Sequence, residues 1–185
     1  GNRIEDYRAE DGGYNPKAKS TAGTAYGAFL ALGAHQDLKI SLTEPLRVIQ
    51  SLKFLETGDG AWTNDRLAPG KTGSTNATAA AVIALHNLNA PIHDGVADWL
   101  LRQAHDQGGF RAAPATPIPD LLSTATALHA LSALETPFEA IKDPCLDFLD
   151  SLWTNEGSFF GNWTEETLDC EYTFYALLAL GHLSL

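Results

Sequence analysis

The sequence predicts an all-α protein, an α/α toroid in which an inner ring of helices is wrapped by an outer one. Two observations carry that expectation. A loop-helix unit recurs four times, opening DGGY at Asp11, DGAW at Asp59, QGGF at Gln107 and EGSF at Glu156. Its aromatic residues Tyr14, Trp62, Phe110 and Phe159 stand 48, 48 and 49 residues apart, a regularity that marks one supersecondary unit per repeat. The helices also alternate in character. One kind is apolar all round, as an element buried on both sides must be, and the other has a single apolar stripe.

Residues 1–10 (GNRIEDYRAE) are polar and read as a lead-in, with the repeat domain covering 11–185. The first inner helix is expected over 21–35. An outer helix follows, opened by Pro45 in a first turn that tolerates it, with Leu46, Ile49, Leu52 and Leu55 at helical spacing. Arg47 and Lys53 lie on its polar side. The second inner helix is expected over 74–88, rich in small apolar residues. Ile92–Ala104 is the next outer helix, with Val96, Trp99 and Leu100 inward. The third inner helix covers 120–134. Asp143-Pro144 reads as the cap and first turn of an outer helix bearing Phe148, Leu149 and Leu152. The last inner helix covers 169–183, giving about seven helices.

Aligning the inner helices on Ala31-Leu32, Ala84-Leu85, Ala130-Leu131 and Ala179-Leu180 places Thr21, Ser74, Asp120 and Asp169 ten residues before each alanine. All four are N-cap residue types, able to accept from the orphan amides of a first turn. The four glycine-aromatic loops then share one rim, where the inner helices present their positive ends.

Charge narrows the function classes. Twelve Lys and Arg against 23 Asp and Glu give a net charge of −11, which opposes an unspecific hold on nucleic acid or on an anionic membrane. No run of about 18 apolar residues is present, so no membrane span is expected. Cys145 and Cys170 are expected at the starts of consecutive antiparallel helices, hence at opposite ends of the layer and farther apart than the roughly 7 Å between Cα atoms that a cystine tolerates. They read as free thiols of a reducing, cytoplasmic compartment.

The segment GSFFGNWTEETLDCEYTFYALLALGHL is similar to repeats of the Rab geranylgeranyltransferase β subunit. STAGTAYGAFLAL, GSTNATAAAVIAL and PDLLSTATALHAL are of the same style and resemble bacterial members of the repeat family. From about Asp11 to Leu183 the chain thus resembles the prenyltransferase and squalene cyclase repeat superfamily, and the protein prenyltransferase β subunits most. That resemblance implies a terpenoid cyclase-type double ring. Four inner helices are fewer than the family's closed ring holds, so the expected fold is an incomplete α/α toroid, the C-terminal part of a longer domain. A transferase acting on isoprenoid substrates is the activity the family implies.

The family's catalytic zinc is held by an Asp-x-Cys pair at the start of one inner helix and a His on another, zinc favouring thiolate and activating an attacking thiol. Asp169 matches the aspartate, but Glu171 stands where the cysteine belongs. Cys170 is one residue early, about 100° round the helix. Gly23, Asn76 and Leu122 occupy the equivalent positions, so the trio is incomplete and no cofactor is expected. Asp169 and Glu171 remain the candidate catalytic carboxylates, although Asp169 also reads as a plain cap. The Asp-x-Asp-Asp acid of the triterpene cyclases is absent. Histidines 35, 86, 129 and 182 sit toward the C-terminal ends of inner helices, as dipole partners do.

Lys17, Lys19, Arg66, Lys71 and Arg111 all fall in loops preceding inner helices. With the helix N-termini they form a rim suited to an isoprenoid diphosphate, while Tyr172 and other aromatics line an apolar lumen. Repeat four inverts the sign with Glu156, Glu165, Glu166, Asp169 and Glu171. Two other classes stay open: a carbohydrate-active α/α-barrel enzyme pairing Asp65, Glu165 or Glu171 with Trp62 and Trp163 as sugar platforms, and a non-catalytic binding or scaffold module. The first and last inner helices carry apolar residues with no neighbour to cover them. Self-association, or a preceding segment of a longer chain, is expected to cover that open edge.

Overall fold

Each repeat begins with a tight hairpin turn. The computed structural model describes residues 3–65 and 72–184. In it the amides of Ala9, Thr57, His105 and Thr154 donate to the carbonyls of Gly13, Ala61, Gly109 and Ser158 at 2.8–2.9 Å. Gly12, Gly60, Gly108 and Gly157 close these turns at φ between 82° and 91°, a left-handed conformation that glycine adopts without a Cβ penalty. The aromatic residue that follows is pulled inward. Tyr14, Trp62, Phe110 and Phe159 are all buried.

From there the chain is tied to the helix it feeds. The Thr24 and Ser74 amides donate to the carbonyls of Tyr14 and Trp62 at 2.8 and 3.0 Å. Thr78 and Thr124 accept from the amides of Trp62 and Phe110 at 3.1 and 2.9 Å. Buried amides inside the fold are thereby satisfied by side chains one turn into the next helix.

Seven α-helices are present among the described residues: α1 Ala25–Asp37, α2 Pro45–Lys53, α3 Thr75–Asn87, α4 Val96–Leu101, α5 Leu121–Ala133, α6 Glu139–Leu152 and α7 Cys170–Leu183. A two-residue antiparallel ribbon, β1 Phe110–Arg111 with β2 Pro119–Asp120, precedes α5. The fold is all-α as expected. It divides into two compact units at Val96 and Ala97, each holding two repeats. In the first unit α1 packs on α3, and in the second α5 packs on α7. Within each pair the N-terminal ends lie on the same side. Asn64, in the loop feeding α3, accepts from the Tyr26 amide at 3.1 Å, and the Leu121 amide donates to Gly161 in the loop feeding α7 at 2.8 Å.

Burial follows the expected alternation. Helix α3 is buried continuously from Ala77 to Leu85, whereas α6 buries the single stripe Cys145, Phe148, Leu149 and Leu152. On α2 the buried face is Val48, Ser51 and Leu52. Leu46, expected inward, is 71% exposed.

Several expectations are corrected. Helix α1 is capped by Thr24, whose hydroxyl accepts from the Gly27 amide at 2.9 Å, and not by Thr21. The register that matches the other repeats pairs Ala34-His35 with Ala84-Leu85, one turn later than the Ala-Leu pattern implied. Pro144 lies inside α6, which begins at Glu139, so the Asp143-Pro144 pair does not start it. Helix α4 is six residues, shorter than Ile92–Ala104, and follows Gly95 at φ 87°. Both cysteines are free, Cys145 buried and Cys170 exposed. Cys145 sits in the middle of α6 rather than at a helix start.

Residues 3–10, expected to lead in, fold as a 3-10 turn over Arg3–Tyr7 and join the first repeat's core network. No described helix is long and apolar enough to cross a membrane.

Candidate functional site

Two of the basic residues expected at the rim, Lys17 and Lys19, lie in the loop that leads into α1. Asn15, Lys17, Lys19, the stretch 20–24, Asn64 and Asp65 line a cleft of about 400 Å³. Local hydrogen bonds shape it. Asn15 donates to the Ala22 carbonyl and accepts from the Lys17 amide, both at 2.9 Å, and the Ser20 hydroxyl donates to the Lys17 carbonyl at 2.7 Å. Lys19 holds the loop tip at φ 60°. Asp11 clamps the loop from below. Its carboxylate accepts from the amides of Gly13 and Gly23 and from the Ser51 hydroxyl at 2.9–3.1 Å. Gly13 and Gly23 permit that approach, since a Cβ on Gly23 would come 2.8 Å from the Gly13 Cα.

Two first-turn amides of α1 are already used, Gly27 by Thr24 and Tyr26 by Asn64. An anion in the cleft would therefore be gripped chiefly by the exposed ammonium groups of Lys17 and Lys19, which act as point charges. The Asp65 carboxylate stands in the same lining. Arg66 and Lys71 lie outside the described residues.

Arg111 is engaged elsewhere. Its guanidinium donates to the carbonyls of Arg102, Ala104 and Gln103 at 3.0, 3.3 and 3.4 Å, holding the chain that leaves α4 against β1. Asp169 caps α7, accepting from the Glu171 amide at 2.8 Å, and both carboxylates are exposed. Tyr172 is half-buried, its ring close under Gly161, and its hydroxyl donates to Glu165 at 3.5 Å. Burial and then the carboxylates of Glu165, Asp169 and Glu171 push the Tyr172 phenol above its ordinary value. Hydrogen bonds donated by Thr167 hold the Glu165 carboxyl below its own.

Among the described residues no three His, Cys, Asp or Glu side chains converge as a metal centre requires. Asp169 gives one carboxylate oxygen to the α7 cap, and Cys170 and Glu171 beside it are exposed. Trp62 is buried, donates to the Leu52 carbonyl at 3.1 Å and stacks on His93, so it offers no sugar platform. Trp163 is 39% exposed, with its ring against the edges of Phe148 and His105.

A second cluster was not foreseen. Tyr14 accepts from Arg8 at 2.6 Å and donates to Glu5 at 2.7 Å, while Arg8 also donates to Glu5 at 2.7 Å and to Thr43 at 2.8 Å. His35 approaches Glu5 at 3.5 Å and bonds the Ala31 carbonyl at 2.8 Å. The Arg8 hydrogen bond holds the Glu5 carboxyl below its usual range, and burial raises the Tyr14 phenol far above its own. The sequence signal was a tyrosine where the other repeats carry Trp or Phe, since a buried phenol needs partners. In the second unit the His129 and His182 rings meet at 3.0 Å, a side-chain pair rather than a dipole contact.

Comparison with known proteins agrees with this architecture. Residues 75–184 match the model of the prenyltransferase alpha-alpha toroid domain. A solved structure, Candida albicans protein geranylgeranyltransferase-I complexed with GGPP, superposes with a TM-score of 0.72 at 17% identity, over 95% of this chain and 52% of that one. This chain therefore spans about half the length of that structure, and at such identity the likeness speaks for the fold. No curated protein sequence matches the chain. With the family model covering more than half of its residues, the chain belongs to the prenyltransferase alpha-alpha toroid family.

Proposed function

We propose that this protein binds an isoprenoid diphosphate at the loop rim, with the diphosphate held between Lys17 and Lys19. The observation that supports this reading is the cleft of about 400 Å³ beside the α1 N-terminus, where two exposed lysines stand on a protein of net charge −11. Locally positive potential on an acidic protein selects for anions by position rather than by bulk attraction. The family, and a fold neighbour described as complexed with GGPP, make an isoprenoid diphosphate the anion of choice. No catalytic step is proposed, because the Asp169 carboxylate is engaged as the cap of α7 and the Glu171 carboxylate beside it is exposed.

Titration calorimetry with geranylgeranyl and farnesyl diphosphate tests this. Reversing both charges (Lys17→Glu, Lys19→Glu) removes two charge-assisted contacts of about 1.5–3 kcal/mol each. Since about 1.4 kcal/mol is tenfold in affinity, binding should weaken at least a hundredfold. No binding of either diphosphate at high micromolar concentration, or equal binding by the reversed variant, would remove the reading.

A further inference from the structure

We infer that α7 of one copy packs into the groove on α1 of another, N-terminal ends side by side. Helix α3 has no large apolar side chain exposed along its length, and neither does α5. The helices at the two ends of the chain do. On α7, Phe174 is 59% and Leu177 61% exposed. With Cys170 and Gly181 they recur at intervals of four, three and four, one stripe of a helix surface. On α1, Leu30 is 45% exposed beside a groove of about 580 Å³, lined by Gly27, Ala31, Ala34 and, opposite, by Ile4 and Tyr7. Small residues leave the space that protruding side chains fill, as interiors close-packed at native density require.

Charge selects a second copy as the occupant and sets its direction. The loop before α1 carries the exposed Lys17 and Lys19, and Arg3 lines the groove. The loop and first turn of α7 carry Glu165, Glu166, Asp169 and Glu171, the last three exposed. Pairing the two helices with N-terminal ends together sets the basic loop against the acidic one. It is also the way α1 pairs with α3, and α5 with α7, inside each unit. The antiparallel alternative sets the acidic loop against Asp37 and Lys39, whose opposite charges offset each other. The contact joins two different faces, so it is heterologous and either closes by rotation or extends.

Analytical ultracentrifugation at tens of micromolar tests the inference. The chain should sediment above its monomer mass of 19.8 kDa, and high salt should weaken association severalfold as exposed charges are screened. Leu30→Glu and Leu177→Glu each spoil one face. Each variant alone should fall to the monomer with its far-UV circular dichroism spectrum unchanged, because both side chains are exposed. Mixing the two should restore a dimer, because the intact α7 face of the first meets the intact α1 groove of the second. A wild-type monomer, as a preceding segment of a longer chain or another protein on these faces would give, overturns the inference. So does a variant that still associates, or a mixture that stays monomeric. Neither leucine lines the cleft beside Lys17 and Lys19, so the leucine variants test the interface while leaving in place the lysines proposed to hold the diphosphate.

Discussion

Gly108→Ala and Gly157→Ala make the same change in the same turn of consecutive repeats, and the structure predicts unequal costs. Both glycines are left-handed, at φ 88° and 82°, where an L residue pays about 1–2 kcal/mol. Around Gly157 a Cβ would meet nothing within 4 Å, so conformational strain is the whole cost. At Gly108 the same Cβ would overlap the Pro144 carbonyl, with its carbon at 2.5 Å and the Cys145 amide at 3.2 Å. That is backbone of α6, which cannot swing aside as a side chain can. Overpacking of this kind adds about 1–3 kcal/mol or more, for a total near 2–5 kcal/mol. For a chain of this length about 1 kcal/mol shifts Tm by 2–4 °C. Calorimetric melting should show Gly157→Ala lowered by roughly 2–8 °C and Gly108→Ala by about twice as much. Equal shifts would refute the claim that Gly108 is where the turn docks on α6.

Thr24→Ala should cost about 1 kcal/mol by removing the cap of α1, while Thr21→Ala should stay within about 0.5 kcal/mol, both by urea titration. Burial, joined at His129 by the charge of His182, holds both imidazoles of that pair below their ordinary value. Their contribution is complete above the unfolded pKa of about 6.5 and is lost as pH falls through it toward the lower folded values. Denaturant midpoints should therefore drop between about pH 7 and 5, with a shallower slope in His129→Gln. Tyr14→Phe removes a bond from Arg8 and one to Glu5, and should cost about 1–3 kcal/mol in the same assay.

The period of the glycine-aromatic loops was legible because a hairpin turn and a buried aromatic are local demands, repeated wherever the unit repeats. The alternation of helix character was legible for the same reason. What was misread depended on distant partners. In α1 the residue in register with Leu85 and Leu131 is His35, buried because it bonds Ala31 and meets Glu5. An imidazole standing in for leucine breaks the pattern, and Glu5 lies in a stretch whose polar composition suggests a solvated lead-in. Pro144 misled differently. A first-turn proline is the common case, but α6 starts earlier and accepts the loss of one amide donor. At the rim, Asp169 is recognisable as a cap from sequence. Arg111 is not, since three carbonyls around a guanidinium leave no sequence signature.

Within the first repeat, the parts that build the cleft and the parts that charge it are separate. Asp11, Gly13, Gly23 and Ser51 hold the loop through short bonds beneath it, whereas Lys17 and Lys19 stand exposed above and enter none of those bonds. Changing the lysines should therefore alter the cleft's charge without unfolding its walls. Asp11→Asn could keep one oxygen toward the Gly13 and Gly23 amides but would present amide hydrogens where the second carboxylate oxygen now accepts from the Gly23 amide and the Ser51 hydroxyl. The loop would loosen and Gly23 would lose its approach to Gly13. If the cleft is a site in its own right, circular dichroism should show both variants folded, with Asp11→Asn lowered in Tm and the lysine reversals not. The same loss of Tm in both would mean the lysines are part of the scaffold, and the rim would then carry no separable binding function.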